Sequence, residues 1–119
     1  MQPKHLTIAL ALALGVAVPA LAQSNVEAGK AVYDMKCKAC HMSIVAPKLN
    51  GVAGRKIASV AGYTYSEALK SKASQKWTDA NLQAYIAAPV TWAPGGKMAM
   101  AEADPTARGN LIAYLKTLK

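Results

Sequence analysis

Apolar positions along the chain gather into four short helical stripes, separated by stretches with no period. The clearest lies near the end, where Asp104-Pro105 combines a carboxylate N-cap with proline at the first helical position, and Ala107, Leu111, Leu115 and Leu118 form one apolar stripe behind it. Thr78-Asp79-Ala80-Asn81 opens a second helix with Leu82, Tyr85 and Ile86 on one face and Pro89 as its stop. Ser24-Asn25-Val26-Glu27 has the form of a capping box, Ser24 at the N-cap and Glu27 at N3, and predicts a helix running from there towards Cys37. Ser66 caps a shorter helix over residues 67 to about 72. Between these lie two aperiodic segments, His41 to Val60 with Pro47, Gly51 and Gly54, and Pro89 to Met100 with Pro94, Gly95 and Gly96. No strand-like alternation of useful length occurs, so the predicted class is all-α, with the two terminal helices crossing and loops wrapped round whatever they enclose.

The first residues read as an export leader. Met1 to His5 carries one lysine, an apolar run from Leu6 to Val18 follows, and Pro19-Ala20-Leu21-Ala22 places small residues where a signal peptidase reads them. The apolar run falls short of the roughly 20 residues needed to span a bilayer. Cleavage is therefore expected after Ala22, leaving residues 23–119 as one domain exported to a bacterial periplasm. Those 97 residues sit near the size at which an apolar core alone is marginal. Without Lys4, thirteen basic residues face six acidic ones, a net +7 that favours acidic partner surfaces. Nucleic acid is disfavoured, because the lysines are scattered and only two arginines occur in all.

Cys37-Lys38-Ala39-Cys40-His41 spells C-x-x-C-H, the attachment signature of a c-type haem. On a helix these three side chains share a face, so two thiols can reach the vinyl groups of one porphyrin while His41 lies beneath its iron. A redox dithiol would need a βαβ setting and a structural zinc four ligands, whereas no other Cys or His remains once the leader is set aside. One covalent haem c is expected, with thioethers and no disulfide, and it supplies apolar volume that the short chain lacks. Its iron needs a second axial ligand. Another histidine is unavailable within the domain, and Met35 and Met42 lie on the cysteine side. That leaves Met98 first and Met100 next, both beyond a Pro-Gly-Gly turn that can return a loop over the open face.

In order, the segments Val26-Glu27-Ala28-Gly29-Lys30, Cys37-Lys38-Ala39-Cys40-His41, Ala46-Pro47-Lys48-Leu49-Asn50-Gly51, Gly54-Arg55-Lys56, Gly62-Tyr63-Thr64-Tyr65, Trp77-Thr78-Asp79-Ala80-Asn81-Leu82, Pro94-Gly95-Gly96-Lys97-Met98 and Leu111-Ile112-Ala113-Tyr114-Leu115 resemble a class I cytochrome c, close to the mitochondrial and bacterial c2-like types. The resemblance covers nearly the whole domain. It implies His41 and Met98 as axial ligands, with the Pro47 carbonyl accepting a hydrogen bond from the proximal imidazole. It implies further that Tyr65, Trp77 and Arg55 partner a buried propionate, that Tyr85 lies near the methionine sulfur, and that Gly29 lets the terminal helices approach among Tyr33, Leu111 and Tyr114.

Two departures stand out. The proximal loop from His41 to Pro47 is shorter than in the mitochondrial type, which points to a bacterial protein, and Val90 and Thr91 stand where mitochondrial forms carry lysines. Lys36, Lys38, Lys48 and Lys97 remain to frame the haem edge. The implied activity is one-electron transfer by a monomeric carrier with no catalytic residues of its own. Two alternatives stay open on sequence: a subunit held tightly to one dehydrogenase or oxidase, and an iron site opened by loss of Met98 to bind peroxide or a gas.

Overall fold

The computed structural model describes residues 18–119, with side chains from Asn25 onward, so most of the expected leader lies outside the described residues. Six helices occur among them: α1 (Val18–Lys36), α2 (Lys38–His41), α3 (Glu67–Lys70), α4 (Asp79–Ala87), α5 (Pro89–Trp92) and α6 (Pro105–Leu115). The only β pairing among the described residues is an isolated bridge between Lys56 and Lys76.

Three helix starts follow local chemistry. The Ser66 hydroxyl accepts from the Leu69 amide at 3.3 Å, Thr78 from Asn81 at 3.2 Å, and the Asp104 carboxylate from Ala107 at 2.9 Å. Each satisfies one of the amides that a helix leaves unpaired at its N-terminus. Two expectations need correction. Helix α1 runs through Ser24 instead of starting there, because the full chain supplies apolar helix formers upstream and the capping box becomes interior. Pro89 ends α4 but also begins α5, where proline at the first helical position loses nothing by lacking an N–H, so the segment from Pro89 is not loop throughout.

Helices α1 and α6 cross at Gly29. A Cβ built there would stand 1.8 Å from the Asn110 carbonyl oxygen and 2.9 Å from Tyr114 Cβ, so only glycine permits this approach. Tyr33 and Tyr114 pack beside the crossing with ring centroids 5.1 Å apart. Leu111, Ile112 and Leu115 bury the inner face of α6, and Ile112 joins the core although it lay off the expected stripe. Of the nine residues in the central cluster, six (Val52, Trp77, Leu82, Ile86, Leu111 and Leu115) also line one internal cavity. The core is thus a shell.

Candidate haem centre

Helix α1 delivers Cys37 to this cavity. The Cys37 amide still bonds to the Tyr33 carbonyl at 2.9 Å, the chain then turns into α2, and the His41 amide bonds back to the Cys37 carbonyl at 3.0 Å. Cys37, Cys40 and His41 consequently line a single cavity of about 460 Å³, within the range typical of cofactor sites. Cys37 is half-buried and Cys40 exposed, so the pair spans from wall to mouth.

His41 Nδ1 lies 2.6 Å from the Pro47 carbonyl oxygen. A carbonyl only accepts, so Nδ1 carries the proton and the Nε2 lone pair is left for a metal. Burial holds the imidazole below its ordinary value, against the opposing pull of the Pro47 bond and with a smaller push from Arg55. The ring is neutral at pH 7, as an iron ligand must be.

The wall holds unspent donors. Terminal nitrogens of Arg55 bond the Asn50 carbonyl at 2.9 Å and that of Lys48 at 3.3 Å, while its buried Nε has no partner. Burial also lowers the Arg55 value from its usual range, and the nearby Tyr65 partly opposes this. The Tyr65 hydroxyl accepts from the Val60 amide at 2.9 Å and keeps its own proton to give. An orphaned guanidinium N–H and a free phenol proton in an apolar wall fit an anionic group entering with the cofactor, and haem propionates are such groups. Trp77 is buried in the same wall, stacked on Tyr85 at 5.1 Å, and burial pushes the Tyr85 hydroxyl up to about 12, so it stays protonated.

Trp92 was not anticipated. It completes an aromatic cluster at 5.6 Å from Trp77 and 5.5 Å from Tyr85, with the Lys72 ammonium 4.4 Å from its ring centre. The available hint was an aromatic between Pro89 and Pro94 in a segment without period.

Further along the chain, Gly95 makes a turn with φ at +77° and the Gly96 amide bonds the Ala93 carbonyl at 3.0 Å. Both Met98 and Met100 then line the cavity. Met35 and Met42 are exposed on the surface and do not. Two of the lysines expected to frame the edge are engaged internally: Lys36 Nζ reaches the Glu102 carboxylate at 2.6 Å, and Lys97 Nζ donates to the Thr64 carbonyl at 2.6 Å.

Two thiols running from wall to mouth, a neutral imidazole with a free Nε2, a thioether wall and buried anion donors inside an all-helical shell define a small single-haem protein of the class I type. The chain belongs to the cytochrome c family, whose profile matches residues 26–119. It is 40% identical over 105 residues to the cytochrome c-type cyt cy of Rhodobacter capsulatus, covering 84% of this chain but only 52% of that protein, so it spans about half the length of that relative. Over 100 residues it is 42% identical to cytochrome c-554 of Methylosinus trichosporium, covering 78% of this chain and 74% of the relative. Cytochrome c of Gossypium barbadense is 37% identical over 99 residues, 77% of this chain and 88% of its own length. The protein is accordingly a monohaem electron-carrier cytochrome, not an enzyme, with haem c attached through Cys37 and Cys40.

Proposed function

We propose that this protein is an exported periplasmic carrier that takes single electrons from one redox protein to another, with His41 and Met98 as axial ligands. The observation that carries the reading is the His41–Pro47 bond, which leaves Nε2 free in a cavity that Met98 also lines. Haem c supplies a single iron that alternates between Fe(III) and Fe(II). His41 would hold that iron through Nε2, its tautomer and orientation fixed by Pro47. The Met98 thioether is a soft ligand that favours Fe(II), and the apolar shell disfavours the extra charge of Fe(III), so both raise the reduction potential. Arg55, Tyr65 and Trp77 would hold the propionates.

Docking falls on the mouth beside exposed Cys40. There Ile44 and Val45, 97% and 63% exposed, offer an apolar contact, with exposed Lys38 on α2 and Lys48 on the loop that follows to steer an acidic partner. Removal of residues 1–22 would make Ser24 a true helix start and bring its capping box into use. Visible and near-infrared spectra of the protein expressed with its leader test the ligand set. A low-spin reduced spectrum and a ferric sulfur-to-iron charge-transfer band are expected, and a high-spin spectrum would overturn it. Electron transfer to an acidic partner should slow as salt rises. Rates unchanged with ionic strength would remove the steering role.

A further inference from the structure

Met98 and Met100 stand two apart on a strap, Met98 to Asp104, that is neither helix nor turn. In extended chain, positions two apart lie on the same side, and both side chains line the cavity. Met98 is half-buried and Met100 52% exposed, yet both thioethers border the one cavity and their ligand chemistry is identical. The choice must come from where the strap is pinned.

At its start the strap is fixed by the Gly96 amide on the Ala93 carbonyl at 3.0 Å and by Lys97 Nζ on the Thr64 carbonyl at 2.6 Å. At its end every pin converges on Glu102. Its amide donates to the Ile86 carbonyl at 2.9 Å, and Arg108 Nη1 donates to the Glu102 and Ala103 carbonyls at 3.0 and 3.1 Å. Its side chain, in a residue only 9% exposed, accepts from Lys36 Nζ at 2.6 Å and from the Asp104 amide at 3.2 Å. The same Lys36 Nζ donates to the Ala101 carbonyl at 3.2 Å. Lys36 immediately precedes Cys37, the first point of haem attachment, so the strap is tied next to the haem's own anchor.

We propose that the Lys36–Glu102 ion pair is a register lock: it fixes the strap so that Met98, and not Met100, reaches the iron. Lys36 and Glu102 are then positioning residues, and the idea rests on the reading that this strap supplies the axial sulfur. Exchanging one methionine for the other requires a slide of two residues, about 6.6 Å in extended chain. That slide would pull Glu102 away from Lys36 as well as from its backbone bonds to Ile86 and Arg108. A buried ion pair is weak evidence for net stability, but fixing register is its best-attested use.

The test uses the haem-loaded protein and reads the ferric sulfur-to-iron band, with far-ultraviolet circular dichroism to show that each variant is folded. With the lock intact, Met98→Ala should lose the band and Met100→Ala should keep it. With the lock removed by Glu102→Gln or, separately, Lys36→Gln, Met98→Ala should regain the band, because Met100 can now slide into place. A purely structural role for the pair would lower thermal stability without restoring that signal. If the band stays absent in Met98→Ala with either lock variant, the proposal is overturned. Loss of the band in both single methionine variants, or its retention in both, also overturns it. If Met100→Ala alone loses the band, the assignment of Met98 fails, and the lock is then supported only if Glu102→Gln restores the band to that variant.

Discussion

Replacing Gly29 with alanine should unfold this protein at a much lower temperature, although alanine is the better helix former. The added Cβ would lie 1.8 Å from the Asn110 carbonyl oxygen and 2.5 Å from its carbonyl carbon. A carbon and an oxygen approach no closer than about 3.3 Å, so the two helices must part by roughly 1.5 Å. The obstacle is backbone, which cannot rotate away as a side-chain tip could. A gap of about 0.5–1 Å already forfeits a quarter to a half of each contact across it, and the contacts at stake include the Tyr33–Tyr114 pair and the buried Leu111. Overpacking typically costs about 1–3 kcal/mol, occasionally more. At the upper end of that range, as expected for a backbone obstacle, and set against a gain of about 1 kcal/mol in helix propensity, a net loss of about 2 kcal/mol is expected. In a domain of this size that lowers Tm by about 8–16 °C. Thermal unfolding of the haem-loaded protein, followed by circular dichroism, measures it. Gly109→Ala on α6 is the control, since a Cβ there meets nothing within 4 Å and should be neutral or stabilising by up to about 1 kcal/mol. Unchanged stability in Gly29→Ala would refute the close-crossing argument.

Other outcomes are open to measurement. Arg55→Leu removes the unpartnered buried Nε and should move the titration of a haem propionate up towards neutral pH, making the reduction potential vary with pH where the wild type is flatter. Identical potential–pH profiles in the two proteins would remove Arg55 from that role. Asp104→Ala deletes the α6 cap and should cost about 1 kcal/mol by denaturant unfolding, and a loss below ~0.3 kcal/mol would mean that Pro105 alone sets this start. The Lys36 ammonium, helped by the Asp104 amide and the charge of Arg108, holds the Glu102 carboxyl below its ordinary range. A depressed acid contributes fully above its unfolded value of about 4.3 and loses that contribution as pH falls through the lower folded value. The Tm difference between wild type and Glu102→Gln should thus be constant from neutrality to about pH 5 and shrink below that. A difference that persists unchanged at strongly acid pH would count against the ion pair.

The haem motif, the caps and the glycine crossing were legible because each depends on residues close in sequence or on a resemblance spread over the whole domain. Ser66, Thr78 and Asp104 act within three residues of themselves, and the structure shows the bonds their positions imply. The missed features depend on distance. Glu102 gave no signal, because its burial arises from Lys36, 66 residues earlier in the chain, and from Ile86 and Arg108 on two other helices. Trp92 stands in a segment without period, and only the fold brings it against Trp77 and Tyr85. Ile112 was overlooked because a single stripe was drawn on a helix that is buried on a wider face. The expected lysine frame was thinned for a related reason: sequence counts charges, whereas Lys36 and Lys97 spend theirs on internal acceptors.

Cys37 sets an order of events. In the folded chain, burial pushes its thiol up to about 11, so near neutrality only about one molecule in ten thousand carries the reactive thiolate. A finished fold would thus hinder the bond that completes it. Attachment is therefore expected to be easier on an open chain in which both thiols are accessible, with the crossing of the terminal helices following it. The native structure is in this sense the record of a chemical step already taken, and substitutions that weaken the fold, Gly29→Ala among them, should leave haem incorporation intact while shortening the life of what is made.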